Sequence, residues 1–335
     1  MKREVAMQVS LPQVVKEVRE YSGLTRKQPV EAVFNELILN AAPGPALPNF
    51  GDDAAVIPWN DGYLLFSADG LMPRLLINEP YAAGKAAVMV TVNDIYAMGG
   101  KPIAMVNVLA SGNEKHRAQV VKGIKRGCEK LRVPMVGGHL HPDASPDAPA
   151  LSVSILGWTK HVLHGYKAQA GDDLIFAADL NGRIGCHSVI SWDANSGKSP
   201  DELINRLEAL PIIAERGWAH SAKDVSNAGI LGTASIMMEN SGVGASIDLE
   251  ALPIPAGMDF HSWLFSFQSF GFIMSAPPEI SRSIIALFEE RKVTAAVIGK
   301  VVEERKVMVR SGSDVAVMFD FIKDKITGIS YRPNP

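Results

Sequence analysis

The sequence predicts an α+β protein made of two domains. Apolar residues form short runs in some stretches and recur at three- and four-residue spacing in others, so strands and helices are both expected. They mix without the regular strand–helix–strand beat of a doubly wound sheet, which favours α+β. The chain has 335 residues, enough for two domains of roughly 100–200 residues each. A second unit begins near Tyr166, and the expected domains are 1–160 and 161–335.

Leu11, Val14, Val15, Val18 and Tyr21 fall on one side of a first helix. Val30, Val33, Phe34, Leu37 and Ile38 do the same for a second, expected over 27–40. Residues 41–48 hold three prolines and a glycine and cannot be regular structure. That loop delivers the chain to Gly51-Asp52-Asp53. Short strands are expected at 54–57 and 63–67, the second ending at Asp69-Gly70. Residues 81–98 have helical length, and Gly99-Gly100 followed by Pro102 stops them. A buried strand at 103–109 follows. Asn113 can cap a helix whose stripe is Ala118, Val121, Ile124, Cys128 and Leu131. A strand at 133–136 ends in Gly137-Gly138, and another spans 151–156.

In the second unit, Gly171-Asp172-Asp173 turns the chain into a strand at 174–178. Ser199-Pro200-Asp201-Glu202 is a helix start, with proline first and acids in the first turn. Helices are expected at 228–239, stopped by Ser241-Gly242, and at 278–291. Further strands are expected at 246–249, 271–275, 295–298 and 307–309.

Composition excludes several function classes. The chain is 47% hydrophobic and 21% charged, which is globular rather than disordered or fibrous. Thirty-three basic against 36 acidic residues leave a net charge of −3, without the field a nucleic-acid partner would need. Cys128 and Cys186 cannot build a disulfide framework and read as buried thiols in a reducing compartment. Residues 1–5 are charged with no apolar core behind them, so no signal peptide is expected. The most apolar stretch, 81–98, is broken by Lys85 and Asp94 and falls short of a membrane span. A cytoplasmic protein with no membrane partner is expected.

The common nucleotide and hydrolase signatures are missing. Gly84-Lys85 is followed by alanine inside an expected helix, and Gly242-Val243-Gly244 lacks a third glycine. What stands out is aspartate at element ends: Asp52 and Asp53 before a strand, Asp69 after one, and Asp224 before Val225-Ser226-Asn227. Asp94 lies in an otherwise apolar helix, where a charge is costly unless paired. Carboxylates at such places can converge on Mg²⁺, which takes oxygen ligands and keeps substrate phosphates in its shell. The competing reading is turn chemistry, to which Asp61, Asp172 and Asp173 are assigned.

A second constellation is Gly137-Gly138-His139-Leu140-His141-Pro142-Asp143. Two glycines after a strand allow a ligand close to the backbone. His139, His141 and Asp143 alternate, so an extended chain would set all three on one side, as a metal site or an acid–base pair. The competing reading is a polar loop whose histidines cap nearby backbone.

Taken in order, these pieces resemble the AIR synthase (PurM-like) superfamily, which includes thiamine-monophosphate kinase, selenophosphate synthetase and a hydrogenase-maturation factor. The matching pieces are Gly51-Asp-Asp-Ala-Ala-Val-Ile57, Ser67-Ala-Asp-Gly70, Val92-Asn-Asp-Ile-Tyr-Ala-Met-Gly-Gly-Lys-Pro102, Val136-Gly-Gly-His139, Ser154-Ile-Leu-Gly157, Ala170-Gly-Asp172, Asp224-Val-Ser-Asn-Ala-Gly229 and Ser241-Gly-Val-Gly-Ala245. The resemblance implies two α+β domains, the N-terminal one pairing with its copy in a homodimer around a β-barrel-like core, with ATP near that interface. By likeness, Asp52 or Asp53, Asp69 and Asp94 hold Mg²⁺ on the ATP phosphates, with Asn93 beside them. Gly137 and Gly138 let backbone approach the nucleotide. Asp224 and Ser226 complete the metal and phosphate site. His139, with Asp94, is the implied catalytic candidate, orienting the γ-phosphate or a metal-bound water.

The chain departs from its likenesses. Thiamine-monophosphate kinases carry Asp where this chain has His139, and their second carboxylate in the Asp224 motif is Asn227 here. Selenophosphate synthetases share Gly-Gly-His but need a reactive cysteine near the start, and none precedes Cys128. The hydrogenase-maturation factor ends in a cysteine, whereas this chain ends in Pro335. The expected activity is ATP- and Mg²⁺-dependent phosphorylation or phosphate activation of a small-molecule acceptor. The rivals are a nucleotide-binding protein without turnover, and a metalloenzyme using His139, His141 and Asp143.

Overall fold

A computed structural model describes residues 10–38 and 51–330, so the expected loop at 41–48 and the end of the second helix lie outside the described residues. The chain enters through α1 (Leu11–Glu20), the single turn α2 (Ser22–Thr25) and α3 (Val30–Ile38). α1 buries Leu11, Val14 and Val18, three- and four-residue neighbours on one face. α3 starts after Pro29 rather than at Lys27, because a fixed φ and a missing N–H suit proline to a helix entry. The segment lies on the C-terminal half. Arg19 Nη1 donates to Met318 O and pairs with Asp324, both at 2.8 Å, and the Tyr21 and Phe265 rings meet at 4.6 Å.

The first sheet comprises β1 (Ala55–Trp59), β2 (Gly62–Gly70), β3 (Lys101–Ala110), β4 (Met135–His141) and β5 (Ala150–Thr159), in the order β1-β2-β5-β3-β4. Between β2 and β3 come α4 (Pro73–Asn78) and α5 (Pro80–Ala97), and α6 (Glu114–Leu131) joins β3 to the parallel β4. β5 alternates strictly, burying Leu151, Val153, Ile155 and Thr159 under α5. α5 is apolar around most of its circumference because it is covered on all sides, by the first sheet, by α6 and by the C-terminal half. Gly84 and Gly123 let α5 and α6 approach: a Cβ on either would strike a carbonyl of the other helix. Gly84 is therefore explained by helix contact.

The opposite face of this sheet exposes Phe66, Val106 and Val108 at 48%, 42% and 48%. Register sets them side by side with His139 and His141, which pair with Val108 and Ala110. Within one chain the sheet is open, and no closed barrel forms among the described residues. The expected barrel-like core is thus not seen within one chain.

The C-terminal half carries β6 (Asp173–Ala178), β7 (Arg183–Ile184), β8 (Ser191–Asp193), α7 (Pro200–Leu207), α8 (Ala209–Glu215), β9 (Ser221–Asp224), α9 (Gly229–Ser241), β10 (Gly244–Asp248), α10 (Phe260–Phe265), β11 (Phe267–Gln268), β12 (Gly271–Ala276), α11 (Pro278–Glu289), β13 (Thr294–Val302), β14 (Lys306–Ser311) and β15 (Asp314–Asp320). Its large sheet runs β15-β14-β10-β13-β6-β12-β9, and a small one runs β11-β8-β7. Trp263, fully buried, stands edge-on to Phe176 and Trp192 at the core. The architecture is two-domain α+β, as expected. Several unexpected elements are short, such as α4, β7, β8 and β11, or polar, such as β9; β15, an apolar seven-residue strand, was also not expected. A two- to six-residue element shows little periodicity. β9 reads Ser-Ala-Lys-Asp yet is wholly buried, because its charges meet partners from far along the chain.

Candidate functional site

Four elements from both halves deliver carboxylates to one cleft. Asp53 precedes β1, Asp69 is next to last in β2, Asp94 is in the last turn of α5, and Asp224 ends β9. Asp53 Oδ2 accepts the Asp224 backbone N–H at 3.2 Å, so the two halves are bonded here. Ser67 Oγ, two residues before Asp69 on the same strand face, donates to Asp94 Oδ2 at 2.6 Å.

The four acids feel one another. Burial pushes Asp94 well above the usual carboxylate range, the charges of Asp224, Asp53 and Asp69 push it further, and the Ser67 bond opposes. Its place in the last turn of α5 adds to the cost, since a helix C-terminus disfavours negative charge. Asp224 is pushed up to about 8 by burial and by Asp53, against the pull of Lys223. Asp53 is raised by burial although Lys223 is its salt-bridge partner. Asp69 is raised by the surrounding walls and eased by its bond from Gly70.

The cations within reach are fewer than the acids. Lys223 Nζ bonds the Asp53 carboxylate and the Gly51 carbonyl, the latter at 2.9 Å. Burial opposes its charge, but Asp53 and Asp52 hold it above the ordinary lysine value. Lys27, on the N-terminal segment, is lowered by burial and by Lys223 while Asp224 and Asp53 attract it. Such a cleft holds carboxylates without enough counter-charge.

A hard divalent cation fits that donor set, which is oxygen only. Among the described residues, no three His, Cys, Asp or Glu side chains are arranged to enclose a metal by themselves. The fit is with an ion held by one or two carboxylates and completed by phosphate oxygens and water.

Other candidates stand elsewhere. The Asp52 side chain is fully buried and accepts from His164 Nδ1 at 2.7 Å and Gly165 N at 2.5 Å, so it ties its loop to the second half. Asn93 is buried with Nδ2 on the Ser269 carbonyl at 3.4 Å. Ser226 is half-buried in the turn after β9, where its carbonyl accepts from Gly229 N at 2.9 Å.

Gly137 and Gly138 do not end a strand, as expected, but lie inside β4. A Cβ on Gly138 would strike Asn107 of β3, so strand contact alone demands glycine there. His139 and His141 share the outward face, away from α5 and from Asp94, with ring centroids 4.6 Å apart. Asp143 lies beyond the strand, in the turn. The three therefore do not line one extended face, and no metal-holding group forms there among the described residues.

The sequence reading missed Lys27, Lys223 and His164. Lys223 carried a signal: a charge between Ala222 and Asp224 beside the apolar Val225 is costly if buried alone. Nothing local marks His164.

Residues 51–159 match the AIR synthase related protein N-terminal domain, and residues 169–311 the C-terminal domain. An uncharacterized protein of Synechocystis is 34% identical over 96% of this chain and 99% of its own length. A selenide, water dikinase of Aeromonas salmonicida is 29% identical over 70% of this chain and 72% of its own. Thermotoga maritima PurL complexed with ADP superposes with a TM-score of 0.76 at 19% identity, covering 95% of this chain and 53% of PurL. The chain thus spans about half of that protein, and the likeness is one of fold. With both domain matches in order and a relative aligned almost end to end, the chain belongs to the AIR synthase-related family.

Proposed function

We propose that the protein is an ATP- and Mg²⁺-dependent enzyme that phosphorylates, or activates by phosphorylation, a small molecule. The observation that carries this reading is the under-compensated cluster of Asp53, Asp69, Asp94 and Asp224. Acids that raise one another's pKa are poorly stable alone and well suited to a cation bearing phosphate. Membership of a family that includes a dikinase, and a fold shared with a protein complexed with ADP, support the same reading.

The residue roles follow from the geometry. Asp94, Asp69 and Asp224 would hold the ion, with Ser67 orienting Asp94 and Lys223 fixing Asp53. Bound there, Mg²⁺ supplies neutralisation of charge on the phosphate oxygens during transfer. Lys27 adds a positive charge from the N-terminal segment. The exposed apolar face bearing Phe66, Val106 and Val108 supports a homodimer formed through the first sheet. His139 belongs to that face, so any part it takes in the site depends on the dimer.

The test is calorimetric titration with a nonhydrolysable ATP analogue, with Mg²⁺ and with EDTA. Binding is expected only with Mg²⁺, and Asp94→Asn is expected to weaken it more than about tenfold without lowering the melting temperature. Equal affinity in wild type and variant would remove the carboxylate cluster from the nucleotide site. ADP release on an acceptor separates an enzyme from a protein that only holds nucleotide.

A further inference from the structure

The loop that carries Asp53 enters the cleft through Gly51. Its φ is +104°, in the left-handed region that favours glycine, and a Cβ there would stand 2.8 Å from Asn240 Nδ2 and 3.3 Å from Ile329 Cγ2. The Gly51 carbonyl accepts from Lys223 Nζ at 2.9 Å and from Asn240 Nδ2 at 3.0 Å. The same Lys223 Nζ bonds the Asp53 carboxylate. Asn240 thus steadies a carbonyl, the carbonyl steadies an ammonium, and the ammonium holds one acid of the cleft.

Asn240 is fully buried in the last turn of α9. A buried amide needs partners at both ends, and here both are supplied. Its Oδ1 faces Thr327 Oγ1 at 3.4 Å, which turns Nδ2 towards Gly51. Beside it Glu239 accepts from Ile326 N and Thr327 N, both at 2.8 Å, and from Thr327 Oγ1 at 2.7 Å, so the segment after β15 is drawn onto α9. The helix itself is closed by Gly242, in the left-handed region with its N–H on Glu239 O at 3.1 Å, so the Asn240 amide is not spent on capping.

We propose that Asn240 is a positioning residue for the carboxylate cleft, holding Lys223 at Gly51 so that the acids stay open to a divalent cation. The purpose of that hold rests on the Mg²⁺–ATP reading above; the hold itself stands on its own bonds. Without the Asn240 amide, the Gly51 carbonyl loses one of its two donors and its peptide is freer to rotate. Lys223 then follows the pull of Asp53, Asp52 and Asp224. An ammonium drawn in among those acids competes with the ion for the same oxygens. Asn240 acts only through Gly51 and Lys223.

Two measurements on the full chain test this, with Asn240→Ala, Thr327→Val and, as a control, Ile284→Val, a core truncation on α11 outside this series of bonds. Calorimetry with a nonhydrolysable ATP analogue gives the Mg²⁺ concentration at half-saturation. NMR of lysine labelled with ¹⁵N at Nζ, in Mg²⁺-free protein, follows the Lys223 ammonium, identified by its loss in Lys223→Arg. Asn240→Ala should raise the Mg²⁺ requirement about tenfold, leave analogue affinity at saturating Mg²⁺ close to wild type, and shift and broaden the Lys223 signal. Thr327→Val keeps the amide and removes the hydroxyl that faces it. It should move both readings the same way by less, and it carries the test if Asn240→Ala does not fold. Ile284→Val should move neither. A Lys223 signal absent from wild type, either reading unchanged in both variants, or the same changes in Ile284→Val would overturn the proposal. A Lys223 signal that both variants disturb, in a protein that binds no nucleotide, would keep the hold on Lys223 and remove the ATP reading.

Discussion

Replacing Asp224 by asparagine should stabilise the metal-free protein, and the gain should grow with pH. Asp224 is 6% exposed and its carboxyl is pushed up to about 8 from an ordinary 3.8. An acid with a raised folded-state pKa holds its proton more tightly when folded. Folding is unpenalised below about 3.8 and loses stability as pH rises from there towards 8. At pH 7 about three pH units have been crossed, each worth ~1.4 kcal/mol, so the site costs at most ~4 kcal/mol. Asp53 and Asp94 share that strain, and protonating one relieves the rest, so Asp224→Asn should recover about half, ~2 kcal/mol. The assay is urea unfolding in EDTA at pH 4.5, 6 and 7.5, read by the fluorescence of buried Trp192 and Trp263. The difference between variant and wild type cancels every titrating group that does not couple to Asp224. It should be near zero at pH 4.5 and largest at pH 7.5. A variant no more stable than wild type at pH 7.5 would refute the reasoning. With Mg²⁺ and nucleotide present the order should reverse, because only the wild type gains from the ion.

Four further outcomes are expected. Ser67→Ala removes the 2.6 Å bond to Asp94 and should weaken Mg²⁺-dependent nucleotide binding about tenfold in calorimetry, at ~1 kcal/mol of stability. Lys223→Met leaves Asp53 buried without its partner and should cost ~3–5 kcal/mol at neutral pH in chemical denaturation, and less as the pH is lowered, because burial raises the Asp53 carboxyl and favours its protonated form. Glu239→Gln puts an N–H group against donors, since Glu239 accepts from Ile326 N, Thr327 N and Thr327 Oγ1 at 2.7–2.8 Å. It should lose ~2–3 kcal/mol, seen as a lower melting temperature. Val106→Asp charges the exposed sheet face and should turn a dimer into a monomer in sedimentation velocity; an unchanged mass would place the contact elsewhere.

The acids of the cleft could be picked out from their neighbours in the chain. Asp94 stands in a helix that is mostly apolar, and such a charge needs a reason. Asp69 was expected at the end of a strand and Asp224 at the entry to Val225-Ser226-Asn227; that Asp224 itself ends a strand, β9, was not foreseen. Consecutive Asp52 and Asp53 could not be told apart, because they share a local environment and differ in what distant segments bring: His164 to one, Lys223 to the other. Alternation set His139 and His141 on one side of an extended chain, but which side was beyond it. Pairing with Val108 and Ala110 turns them to the outer face, and the strand's end removes Asp143.

The linear order of residues was enough for the α+β class, for most long elements and for the aspartates as candidates. These rest on spacing along the chain and on the cost of burying an unpaired charge. Which acids share a cleft, which lysines answer them and which face of the first sheet stays bare were decided only in three dimensions. Each depends on atoms tens to hundreds of residues apart, as in the Asp53–Lys223 contact, and a Coulomb interaction follows distance in space, to which separation along the chain is no guide.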